Sequence, residues 1–149
     1  MLKTLPLRQL DRSLAPWRKL PRSRPAAGWL RAVREALGMT TRQVATAVGV
    51  SQGAVVDIER TEARGDITLA TLQRYAAALG CDLVYALVPR LPLQRTIEAK
   101  ADQIARLQVA RVSQSMALEG QQTSPEYRKR EIAALRRKLL DGRRSRLWQ

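Results

Sequence analysis

Between Gly28 and Gly80 the sequence starts and stops helices four times in quick succession. Trp29–Leu37 carries Leu30, Val33 and Leu37 on one helical face, with Gly38 at its stop. Thr40 begins a second helix that runs to Val48 and ends at Gly49; Ser51 begins a third, Gln52 to about Arg60. Thr68 begins a fourth, with Leu69, Leu72, Ala76 and Leu79 facing inward and Gly80 closing it. Hydroxyl side chains satisfy the free amides of a helix start, and glycine accepts the left-handed backbone of a helix end. Apolar residues at steps of three and four give each helix one face to bury. A segment punctuated in this way is confined to a bundle of short helices.

The flanks are organised differently. Residues 1–27 hold Pro6, Pro16, Pro21 and Pro25 among arginines; Leu7, Leu10 and Leu14 keep helical spacing, and Trp17 to Ala27 reads as an extended arm. Cys81–Val88 is apolar, bounded by Gly80 and Pro89, and rich in residues that favour strands, so a strand is expected there. After Pro92 a long helix is expected to Glu119, with Ile97, Ala101, Ala105, Val109, Val112 and Met116 as its apolar stripe. Ser124 and Pro125 start a last helix, with Ile132, Leu135 and Leu139 inward, ending near Gly142. The expected division is a basic arm over 1–27, a helical domain over 28–80, a strand and linker over 81–92 that offers a dimer contact, and a helical extension over 93–149.

Composition excludes whole classes of chemistry. There is no histidine, and Cys81 is the single cysteine, so neither a disulfide framework nor a Cys/His zinc site can form. Histidine-based acid/base catalysis is absent and the 13 acidic residues are scattered, so neither an enzyme nor a cofactor is expected. The longest apolar run, Leu83–Val88, falls far short of the ~20 residues of a membrane helix. Arg8, Asp11 and Arg12 interrupt any signal peptide, and a soluble cytoplasmic protein is expected. Of 27 basic residues 22 are arginine, whose planar fork suits phosphate oxygens and guanine edges. The net charge of +14 is uneven: +6 over 1–27, +1 over 28–92 and +7 over 93–149. Basic flanks around a nearly neutral centre are either a solvated surface or a nucleic-acid contact.

Leu30–Glu62, LRAVREALGMTTRQVATAVGVSQGAVVDIERTE, resembles a helix-turn-helix of the Cro/C1 (XRE) type. Ala45 sits where the two helices would cross and Gly49 where the turn needs a left-handed backbone, while Val44, Val50, Val55 and Ile58 close the core beneath. Arg34 and Glu59 match a pair that in this family bridges the first and third helices. The resemblance makes the third helix the recognition helix. It implies that Ser51 bonds a phosphate or caps the helix, that Gln52 reads an adenine, and that Gly53 lets the backbone approach DNA. Val56 then meets a thymine methyl, and Asp57 accepts from a cytosine amino group or faces solvent. Thr41, Arg42, Arg60 and Arg64 become phosphate contacts, and Arg18, Arg22 and Arg24 an arm that tracks the backbone or enters the minor groove. One such domain reads half an operator, so a homodimer on a palindromic site is expected, with Cys81–Val88 pairing across the two-fold or with another segment of its own chain.

A second motif lies in the extension. SMALEG, Ser115–Gly120, has the form Ser/Thr-x-x-x-Glu-Gly/Asn and looks like the inhibitory motif that silences Fic-domain adenylyltransferases. In that family the glutamate pairs with the arginine that would hold the ATP γ-phosphate. Ser115 and Glu119 are one turn apart on a face continued by Arg111 and Gln108, and Gly120 stops the helix. The bland alternative is an exposed glutamate before a helix-ending glycine. Taken whole, the chain resembles the mobile mystery protein A family, through DRSLAPWRKL, RGDITLATLQRYAAALGCDLVYALVPR, MALEGQ and the closing SRLWQ, within which Trp148 is expected to pack. The family is usually encoded beside mobile mystery protein B, which carries a Fic domain.

These readings converge on a mainly α fold: a Cro/C1-type helix-turn-helix bundle with one short β-strand and a C-terminal helical extension. The function implied is an antitoxin that represses its own operon and restrains a Fic-domain partner. The alternatives are a stand-alone repressor whose C-terminal helices only dimerise, and an RNA-binding protein, which lacks stacking aromatics.

Overall fold

The computed structural model describes residues 6–149; the first five residues of the expected arm lie outside them. Among the described residues seven α-helices follow in order: α1 (Leu7–Leu14), α2 (Trp29–Ala36), α3 (Thr41–Val48), α4 (Gln52–Arg64), α5 (Leu69–Ala78), α6 (Leu93–Leu118) and α7 (Pro125–Asp141). Short 3-10 turns cover Pro16–Lys19 and Arg144–Trp148. The chain divides into two units, Leu20–Ala86 and a second that joins the N-terminal residues up to Lys19 with Leu87–Gln149.

The first unit contains α2 to α5. Thr40 opens α3 with a reciprocal capping box: its hydroxyl accepts from the Gln43 amide and the Gln43 side chain accepts from the Thr40 amide. Ser51 caps α4 by accepting from the Ala54 amide, and Thr68 caps α5 by accepting from Thr71. Gly49, at φ 80°, turns the chain between α3 and α4, a conformation that costs other residues about 1–2 kcal/mol. Leu30, Val44, Ala45, Val55, Tyr75 and Leu79 form the buried core, with Val50 and Ile58 packed half-buried against it.

Sequence periodicity misassigned two leucines here. Leu69, expected to face inward, is 49% exposed, and Tyr75 is buried instead. The inward face of α5 is 72, 75, 76 and 79; Leu69 precedes it by a turn, at the helix start. Leu37 is likewise exposed, because it is the last residue before the chain turns away at Gly38. The recognition-helix candidate runs past Arg60 to Arg64, since nothing in Thr61–Arg64 breaks a helix before Gly65.

The expected strand at Cys81–Val88 does not form; no strand occurs among the described residues. Residues 81–89 carry no regular structure, and strand propensity cannot build a ladder where no second strand among the described residues offers an edge.

The second unit packs α1, α6, α7 and the terminal 3-10 turn together. Ala101 and Ala105 on α6 are fully buried, and their small side chains allow close helix approach. Leu147 is completely buried, whereas Trp148, expected to pack, is 58% exposed. Val112, placed in the apolar stripe by spacing, is also exposed: the covered line steps from Val109 to Ser113 and then Met116. Asp11 of α1 accepts from the Leu93 and Gln94 amides at 2.7 and 3.1 Å, capping α6, whose own N-cap residue, Pro92, supplies no side-chain cap.

Candidate DNA-reading surface

The Gly49 turn brings the first residues of α3 and α4 side by side. Gln52, first in α4, donates from Nε2 to the Thr41 hydroxyl, first in α3, over 2.8 Å. Ser51 stands next to Gln52 with its hydroxyl already accepting from Ala54 at 3.2 Å, so its capping role is met within the chain. No heavy atom lies within 4 Å of a Cβ built on Gly53, which leaves the outer side of that turn open. Gln52, Gly53, Asp57 and Arg60 are exposed, and Thr41 and Val56 are half-buried. There is no acidic residue in the first turn of α4, so the positive end of its dipole is not offset at the surface.

The helix pair is held rigid from behind. Arg34 of α2 donates from Nε to Glu59 Oε1 at 2.5 Å and from Nη2 to Oε2 at 3.0 Å, while Nη1 donates to the Met39 carbonyl at 3.1 Å. Both side chains are about nine-tenths buried, at 11% and 9% exposure. The hydrogen bond to Glu59 raises the Arg34 pKa beyond its already high value. At the surface Arg31 pairs with Glu35 at 2.7 Å and holds that carboxyl below the usual carboxylate range.

The basic residues offered by the sequence are not equally free. Arg42 and Arg60 are exposed, and Arg64 lies loosely 3.9 Å from Asp66. The arginines of the expected arm divide: Arg18 lies 3.6 Å from Asp11 beside the 3-10 turn, and Arg22 is exposed. Arg24 donates to the Glu62 and Ala63 carbonyls at 3.3 and 2.8 Å, closing the C-terminus of α4. Sequence reasoning missed the anchoring of Arg24 and the cap from Asp11, which span long stretches of chain and leave no local pattern. The Thr40-x-x-Gln43 box was legible and also passed over.

Residues 30–85 match the helix-turn-helix family model. No curated protein and no solved structure matches the chain. The helix-turn-helix domain is that of an XRE-type DNA-binding transcription regulator, and α4 stands in its second-helix position. Its matched span extends past α5 into the unpaired segment that begins at Cys81. Among the described residues no helix is long and apolar enough to cross a membrane, and no cluster of three metal-ligating side chains occurs.

In the second unit, Ser115 and Glu119 are both exposed, as are Arg111 and Gln108. Glu119 is the C-cap residue of α6, and Gly120 at φ 76° ends the helix. Leu118, 85% exposed, and Val112, 58% exposed, flank this polar line.

Proposed function

We propose that the chain is a DNA-binding antitoxin and autorepressor that binds a palindromic operator as a dimer and inhibits a partner Fic-domain adenylyltransferase through Glu119. Gln52 reads an adenine edge, Val56 meets a thymine methyl, and Thr41, Arg42, Arg60 and Arg64 bind phosphates on either side. Gln52 is poised for bidentate work because Thr41 already fixes its amide in the free protein.

The observation that carries the inhibitory role is the exposure of Ser115 and Glu119 on one face at the end of a long helix. A carboxylate there forms no ion pair among the described residues and is free to meet a guanidinium in a nucleotide pocket. Exposed Leu118 and Val112 supply apolar surface around it for a protein partner. The dimer is supported by the unpaired 81–86 backbone, where Val84 and Tyr85 are 65% and 67% exposed, beside an apolar cavity of about 300 Å³ lined by Trp29, Leu72, Ala76 and Leu79. The second reading, a repressor without inhibitory activity, is favoured by Ala101, Ala105 and Leu147: burial alone explains why α6 exists.

The test is ATP labelling of the Fic-type protein encoded nearby, co-purified with this chain, either unsubstituted or carrying Glu119→Gly. Adenylylation gained while the complex stays associated is expected. Two silent complexes, or two active ones, would remove the inhibitory role and leave the regulator alone.

A further inference from the structure

Along α7 the sequence repeats a pair of basic residues every seven positions: Lys129–Arg130, Arg136–Arg137 and Arg143–Arg144. Seven residues of α-helix are two turns less about 20°, a rise of about 10.5 Å, so the first two pairs stand on one stripe of the helix. The third follows at the helix end, where Arg143 and Arg144 open the terminal 3-10 turn. All but the half-buried Arg136 are exposed, and none of the six takes part in an ion pair among the described residues. Favourable interaction with the α7 dipole accounts for cations in its last turn but not for a pair two turns earlier.

Charge divides between the two units as unevenly as along the sequence. The unit with α6 and α7 has 19 basic and 7 acidic residues, a net +12; the helix-turn-helix unit has 8 and 6, a net +2. The DNA-reading unit also uses Arg34 on Glu59, Arg31 on Glu35 and Arg24 on backbone carbonyls. That leaves Arg22, Arg42, Arg60, Arg64 and Arg74 there for phosphates, against six acidic residues in the same unit, although counterion release by phosphate contacts supplies most sequence-independent affinity for DNA.

We propose that the three dibasic pairs form a second, sequence-independent contact to the phosphates of duplex DNA. This rests on the reading of the helix-turn-helix domain as a DNA binder. A regular array of guanidinium forks matches an evenly charged polymer, and arginine binds phosphate oxygens in bidentate fashion. Single-stranded nucleic acid fits less well, because no aromatic side chain is interleaved between the pairs: the exposed Tyr127 and Trp148 stand only at the two ends of the array.

The test uses the full chain and a random-sequence duplex of about 30 base pairs, with affinity followed from roughly 50 to 200 mM salt. Lys129→Ala/Arg130→Ala/Arg137→Ala/Arg144→Ala should reduce the magnitude of the slope of log K against log salt by about 3.6, near 0.9 for each of the four lost contacts, and weaken binding at least about tenfold. Arg130→Lys/Arg137→Lys/Arg144→Lys should keep the slope. Arg130→Gln/Arg144→Gln, at two exposed sites, should give about half the change and guards against loss of the helix. In parallel, Gln52→Ala should alter the sequences selected from a random pool and leave the slope intact. An unchanged slope with Gln52-dependent selection overturns the α7 contact alone. Selection indifferent to Gln52, with the slope still set by α7, overturns the recognition-helix reading alone. A chain that binds no duplex overturns both.

Discussion

The Glu62 carboxylate of α4 occupies the space where a side chain at Gly28 would begin: a Cβ there would stand 1.8 Å from Glu62 Oε2. Gly28 is the N-cap of α2 at φ 83° and ψ 166°, a region open essentially to glycine alone. Glu62 is 4% exposed, and its side chain packs against the start of α2. Gly28→Ala is expected to destabilise the domain by roughly 2–4 kcal/mol, the sum of backbone strain and overpacking. Gly28→Ala/Glu62→Ala should recover the packing part and not the strain. Urea unfolding measures both, and a single variant within about 0.5 kcal/mol of the parent would refute the account.

Removing one partner of the Arg34–Glu59 pair leaves an uncompensated charge in a nearly buried site. Glu59→Leu or Arg34→Met is therefore expected to cost about 3–5 kcal/mol, with the double substitution closer to the parent than either single one. The comparison is a double-mutant cycle in thermal or urea unfolding. Additive effects of the two substitutions would mean that the pair does not couple α2 to α4.

The exposed, unpaired segment at Val84 and Tyr85 predicts self-association. Val84→Asp/Tyr85→Asp should convert a dimer to a monomer in analytical ultracentrifugation while leaving helicity and the core unchanged. Dimers in both proteins would place the two-fold elsewhere, and a monomeric parent would remove the dimer itself.

How much of this was written locally can be followed residue by residue. Thr40, Gly49, Ser51, Thr68 and Ser124 announced their turns because capping is decided within four residues, and the observed caps lie there. Gln52 stood out as a first-turn side chain, but its bond to Thr41 needed the turn to close. Arg24, expected in a free arm, lies against the end of α4 because two carbonyls there needed donors. Leu37, Leu69 and Val112 fitted the helical period and still stay at the surface, since period names a face and not which neighbour reaches it.

The sequence by itself determined the helices, their boundaries to within a few residues, the basic character of the flanks and the helix–turn–helix order. These follow from hydrogen bonds, caps and charges that act over one or two turns of chain. Only the tertiary structure decided that Tyr75 rather than Leu69 fills the core, that Glu62 closes over Gly28 and that Asp11 caps α6. It also decided that the apolar run after Gly80 finds no strand partner among the described residues of its own chain. Each of these depends on which surfaces meet, and burial is a property of the meeting rather than of either surface alone.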